Sequence, residues 1–136
     1  MEVKYAIEEN LSMDEFLAVL RESGLAERRP VQNRTRIEKM LKNANLIVTA
    51  RYNGKLIGVA RSLSDFTYCT YLSDLAVSME YQKTGIGREL IRFTKASASE
   101  AKIILLSAPA AVDYYPRIGM KRHNHCFMLD DVSELI

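Results

Sequence analysis

Leu72-Ser-Asp-Leu-Ala-Val-Ser-Met-Glu-Tyr-Gln82-Lys-Thr-Gly85-Ile-Gly87-Arg88 decides how this chain is read. An apolar run ends at Val77, a short polar connection follows, and helical spacing begins at Ile86, where Ile86, Leu90, Ile91 and Phe93 suit one buried face. The first amides of a helix have no intrahelical acceptor, and the helix dipole gathers partial positive charge there. Glycine at 85 and 87 lets a ligand approach the backbone closely, and Lys83 and Arg88 add full charge. This combination suits a pyrophosphate. The nucleotide-hydrolase pattern GxxxxGK[ST] is absent, and the dinucleotide pattern GxGxxG has Leu90 in place of its third glycine.

Outward from this stretch, Asn53-Gly54 separates the apolar runs Leu46–Tyr52 and Lys55–Arg61, the pattern of a tight hairpin. Tyr68–Val77 gives the next strand. Upstream, Val3–Ile7 alternates as an edge strand. Ser12 with Glu15 reads as a capping box for a helix that stops near Gly24, and a second helix covers Gln32–Lys42 after a polar loop. Downstream, Ile103–Leu106 reads as a short strand buried on both sides, Ala110–Ile118 as a short helix containing Pro116, and Met120–Arg122 with Cys126–Leu129 as a closing hairpin. The order β-α-α-β-β-β-α-β-α-β-β gives an α/β (α+β) fold: a mixed, mostly antiparallel sheet of six to seven strands with helices on both faces, in one domain over residues 1–136.

Composition agrees with a globular chain. Hydrophobic residues make up 48% and charged residues 26% of 136. Nineteen basic against 17 acidic side chains give a net charge of +2, which argues against a nucleic-acid binder. No apolar run is long enough to span a bilayer, and the mixed, acidic start MEVKYAIEEN is unlike an export signal, so the expected location is cytoplasmic. Cys69 and Cys126 make no disulfide framework, and the His123-x-His125-Cys126 run lacks a second ligand pair, so no metal is expected. Arg21, Arg28, Arg29, Arg34, Arg36, Lys39 and Lys42 form a basic stretch that reads either as a solvated surface or as a face toward an anionic substrate group.

A second motif follows the buried strand: Ala108-Pro-Ala-Ala111-Val-Asp-Tyr-Tyr115-Pro-Arg-Ile-Gly119-Met120. Taken with Gln82-x-x-Gly-x-Gly-Arg88, it resembles the GNAT superfamily of N-acetyltransferases over Leu46–Leu129. The resemblance implies acetyl-CoA as co-substrate and transfer of its acetyl group to a primary amine of a small molecule by direct attack. It implies that Leu75, Ala76 and Val77 offer backbone groups to the pantetheine arm, and that Gln82, Lys83, Thr84, Gly85, Ile86, Gly87 and Arg88 surround the pyrophosphate. Tyr115 matches the tyrosine that protonates the departing thiolate. Ala108 stands where many members carry asparagine, and Met120 replaces an aromatic residue.

The general base stays open. Regular alternation puts Tyr71, Ser73 and Leu75 on one face and Asp74 with Ala76 on the other. Asp74 turns inward if the strand bulges; alternatively, Ser73 and Tyr71 hold a relay water, and Asp74 also reads as a structural hydrogen-bond acceptor. Two further readings stay open beside small-molecule transfer, a catalytically silent acyl-CoA-binding module and a protein or peptide acetyltransferase. A second copy of the chain stays open as a partner.

Overall fold

The computed structural model describes all 136 residues. The elements run β1 Lys4–Ile7, α1 Met13–Ser23, α2 Arg34–Asn43, β2 Leu46–Tyr52, β3 Lys55–Ser64, β4 Cys69–Val77, α3 Ile86–Ser97, β5 Lys102–Ile104 and α4 Tyr114–Arg117. They fall into two units, Met1–Leu106 and Ser107–Ile136. No helix is long and apolar enough to cross a membrane.

In the first unit, the expected hairpin forms at Asn53 and Gly54, whose φ angles of 49° and 80° both lie in the left-handed region. Five strands lie side by side in chain order, antiparallel from β1 to β4. β5 then joins β4 in parallel after α3. This is the mixed, mostly antiparallel sheet read from the sequence, with five strands instead of six to seven. One face packs Phe16, Leu17 and Leu20 of α1 and Ile37 and Leu41 of α2 against Ile47, Val59 and Ala76. The other packs Ile86 and Leu90 of α3 against Val48, Ile57, Ala60 and Leu72. Each of the valine, leucine, isoleucine and phenylalanine side chains contributes about 1.5–3 kcal/mol on burial.

Helix ends follow local chemistry. Ser12 Oγ accepts the Glu15 N–H at 3.1 Å, and Gly24 at φ 87° ends α1. The expected capping box is only half formed, because the Glu15 carboxylate takes the Ser12 hydroxyl and Arg51 instead of the Ser12 amide. Arg51 also grips Glu8, so β1, β2 and α1 share one charged junction.

β4 carries a bulge. Asp74 pairs with Arg61 and Leu72 with Ser62, so Ser73 is the extra residue. Alternation therefore breaks there. Leu72 and Leu75, three apart, both face α3, while Asp74 lies with Ala76 on the α1–α2 side.

The second unit departs from the sequence reading. The helical span expected over 110–118 is a 3-10 turn, Pro109–Ala111, followed by the one-turn α4. α4 ends in a paired closure: Gly119 at φ 103° donates to Pro116 O at 3.1 Å, and Met120 donates to Tyr115 O at 3.0 Å. The closing hairpin over 120–122 and 126–129 does not form. Of its backbone donors only the Met120 N–H is taken up, by Tyr115 O, and in the intervening turn the His125 N–H meets His123 Nδ1 at 2.9 Å. The side chains from Lys121 on are exposed, Phe127 by 89%. An apolar run without a face to bury against gives a strand no packing energy. β5 is likewise shorter than Ile103–Leu106 and is not buried on both sides, since Ile104 is 47% exposed.

Candidate functional site

The residues of the deciding stretch are held by α1 and β4. After Val77, Ser78 donates its hydroxyl to Glu22 of α1 at 2.9 Å and its amide to Ile57 O at 2.9 Å. Gln82 donates its side-chain amide to Val77 O at 2.8 Å and Ser23 O at 3.5 Å. Thr84 Oγ1 donates to Tyr81 O at 2.5 Å, and Lys83 and Gly85 take positive φ of 63° and 90° on either side of it. Ile86 is buried against the sheet and anchors the start of α3.

The start of α3 differs from those of α1 and α2. Ser12 caps α1 and Asn33 caps α2 by side-chain hydrogen bonds, whereas Gly85 caps α3 with none. The amides of Ile86, Gly87 and Arg88 are left without acceptors. A Cβ built on Gly85 would meet nothing within 4 Å, so the space above this helix end is open. Gln82, Lys83, Thr84 and Arg88 are exposed around it.

Beside this loop, β4 has an open edge. β5 pairs only with Cys69–Tyr71, so nothing continues the ladder beyond Tyr71. The Ser78-to-Ile57 bond sets the phase of the β3–β4 ladder. In an antiparallel pair the residues that exchange bonds alternate. Asp74 and Ala76 therefore face β3, and the backbone groups of Leu75 and Val77 turn to the open edge. Leu75, Ala76, Val77 and Gln82–Arg88 thus lie together in the first unit, around one helix end and one strand edge.

At the bulge, Asp74 is fully buried with both carboxylate oxygens engaged. Arg29 Nε lies 2.5 Å from Oδ1 and Arg61 Nε lies 2.5 Å from Oδ2. Arg29 also donates to Ser73 O at 2.8 Å, and Arg61 to Ser73 Oγ and Met40 O, each at 3.0 Å. Ser73 is half-buried and Tyr71 is 39% exposed. Sequence reading missed Arg61 altogether and left Arg29 within a general basic stretch. The available signal was a charged residue ending the otherwise apolar run Leu56–Ala60.

Tyr115 lies in the second unit, in α4, edge-on to Tyr114 with ring centroids 5.1 Å apart. Burial pushes its phenol pKa up, and the neighbouring Tyr114 adds to this, so the hydroxyl is protonated at neutral pH. Ala108 precedes the 3-10 turn at Pro109, and Gly119 closes α4. His123 and His125 are exposed, with ring centroids 5.5 Å apart.

An N-acetyltransferase of Pyropia yezoensis, the uncharacterized ycf52, is 26% identical over 91 residues, covering 62% of this chain and 52% of that protein. The match thus spans about half the length of that relative. A GNAT-family acetyltransferase from Streptococcus pneumoniae TIGR4 superposes with a TM-score of 0.75 at 17% identity, over 98% of this chain and all of the other. The aminoglycoside N-acetyltransferase AAC(6′)-Iy, solved in complex with CoA, gives 0.74 at 11% identity over 96% of this chain and 95% of its own. The family model described as an acetyltransferase (GNAT) domain matches residues 16–132, from α1 to beyond the Tyr115 motif, and the chain belongs to that family.

Proposed function

We propose that residues 1–136 act as one catalytic domain, a cytoplasmic N-acetyltransferase that moves an acetyl group from acetyl-CoA to a primary amine of a small molecule. The observation that carries this reading is the start of α3, capped by glycine, with three unpaired amides in open space beside the unpaired edge of β4. An anionic pyrophosphate supplies the acceptors those amides lack. Lys83 and Arg88 add charge, and the Leu75 backbone groups and the Val77 N–H face an amide-bearing pantetheine arm, the Val77 carbonyl being held by Gln82.

The steps follow from these residues. An ammonium has no lone pair, and an ordinary amine pKa of about 10 makes proton loss part of the work. Asp74 is buried with both oxygens held by guanidiniums and turned from the open edge, so its role is structural. Ser73 and Tyr71 hold a water that carries the proton to solvent. The neutral amine attacks the thioester carbonyl, the Leu75 N–H stabilises the developing oxyanion, and as the C–S bond breaks the Tyr115 hydroxyl donates its proton to the departing sulfur. The proton that the nitrogen sheds on becoming an amide leaves to solvent, from which Tyr115 is reprotonated. No acyl-enzyme forms.

One observation favours a second reading, a silent acyl-CoA-binding module: the only acid at the bulge is fully engaged. CoA release measured over an amine panel, beside an acetyl-CoA thermal-shift titration, separates the two. Turnover with an amine supports the transferase. Tight acetyl-CoA binding without turnover for any small molecule or peptide supports the module.

A further inference from the structure

The bulge at Ser73 gives β4 the phase in which Leu75 and Val77 reach the open edge. A slip of one residue would reverse every side chain beyond it. Something must therefore hold an extra residue in place in an otherwise regular ladder. Four hydrogen bonds end on Ser73 or Asp74 from two guanidinium groups. Arg61 makes two of them and is itself tied to α2 through Met40 O. It is also the register partner of Asp74, so its backbone and side chain grip the same residue. A hydroxyl has one proton and two lone pairs. With Arg61 donating to Ser73 Oγ, the Ser73 proton is left to point elsewhere.

We infer that Arg61 is a positioning residue for acetyl transfer. Through Asp74 and Ser73 Oγ it locks the bulge, and so aims the Leu75 N–H and the Ser73 hydroxyl at the reacting groups without touching them. This rests on the transferase reading, because only a reaction at that edge gives the aim a consequence. A shift of about 1 Å at a reacting centre can cost about 10²-fold in rate.

The test is Arg61→Met, which leaves Asp74 paired with Arg29 and the buried charge balanced. Circular dichroism should show a folded protein. In ligand-free protein, amide exchange at Asp74, which faces β3 at the bulge, should speed up by about 10-fold or more while Val59 and Leu90 keep their protection. In turnover, kcat should fall by about 10²-fold with acetyl-CoA affinity within threefold, since the α3 loop is untouched. A folded variant with unchanged exchange at the bulge, or with kcat within threefold of wild type, overturns the inference. If Arg61→Met does not fold, Arg61→Lys takes its place under the same criteria, because it keeps the charge and loses the fork that spans Asp74 and Ser73. If the wild type binds acetyl-CoA and turns over no amine, the transferase reading fails, and the exchange measurement alone decides whether Arg61 locks the bulge.

Discussion

Asp74 and Arg61 are partners twice, once as opposed residues in the β3–β4 ladder and once as a buried ion pair with Nε 2.5 Å from Oδ2. Arg29 closes the other side of the carboxylate. One buried anion thus serves a buried cation, Arg61, and a partly exposed one, Arg29, and removing it leaves both uncompensated. Asp74→Asn should cost about 3 kcal/mol or more of stability, since breaking a buried pair strands the remaining charge. Urea unfolding at pH 7 measures it, and the double variant Asp74→Asn with Arg61→Met should recover part of the loss. An equal loss in single and double variants would show that stranded charge is not the cause.

Stability and binding should separate at Gly87. It lies inside the first turn of α3 at an ordinary helical conformation. Glycine is about 0.8–1 kcal/mol worse than alanine in a helix interior, so Gly87→Ala should raise the unfolding free energy by up to about that amount. The added methyl also stands beside the amides offered to the pyrophosphate, and acetyl-CoA affinity should fall by about 10-fold or more. Calorimetric titration beside thermal unfolding checks both signs. A stabilised variant with wild-type affinity would remove the pyrophosphate from this helix end.

Tyr115→Phe keeps the ring and removes the proton donor. General acid catalysis is typically worth about 10²–10⁴-fold, so kcat should fall by that order while acetyl-CoA affinity changes little. Because burial raises the phenol pKa, the group stays protonated through neutral and mildly alkaline pH. The wild-type rate should therefore show no alkaline loss attributable to Tyr115 below its ordinary value of 10. A donor thiol of lower pKa should restore part of the variant's rate, and equal loss with both donors would mark the hydroxyl as structural.

Arg51 makes the acid response of stability testable. Its hydrogen bonds hold the Glu8 and Glu15 carboxyls below their ordinary value of 4.5, against a smaller opposing effect of burial. A folded-state pKa below the unfolded one adds stability that is fully present above the unfolded value and is lost as pH falls through the folded one. The stability difference between wild type and Arg51→Met should be largest near pH 7 and shrink below about pH 4.5. Urea unfolding at a series of pH values gives the curve, and a gap that widens toward acid would contradict the assignment.

Local chemistry made much of this fold legible. The Asn53-Gly54 turn, the Ser12 cap and the spacing of Ile86 and Leu90 each name a conformation within a few residues of themselves. The glycines at 85 and 87 mark the loop for the same reason. The bulge at Ser73 carries no such mark, since Leu72-Ser-Asp-Leu75 alternates acceptably in either phase until Arg61 is opposed to it. Arg61 and Arg29 lie 13 and 45 residues from Asp74, and only the folded sheet brings them there. The segment 120–129 shows the reverse error: its apolar run Cys126–Leu129 is visible in the sequence, yet those side chains stay exposed and find no strand partner.

Gln82 has a consequence for the thermodynamics of ligand capture. Its amide ties the β4–α3 connection to Val77 on one side and to the end of α1 on the other in the ligand-free chain. The connection is already shaped, so a ligand need not order it on arrival, and an entropy loss that usually opposes association is small. Cutting the tie with Gln82→Ala leaves every amide of α3 in place but lets the connection wander. Its imprint should be a more unfavourable binding entropy and a slower association rate, with the contacts of the bound state intact.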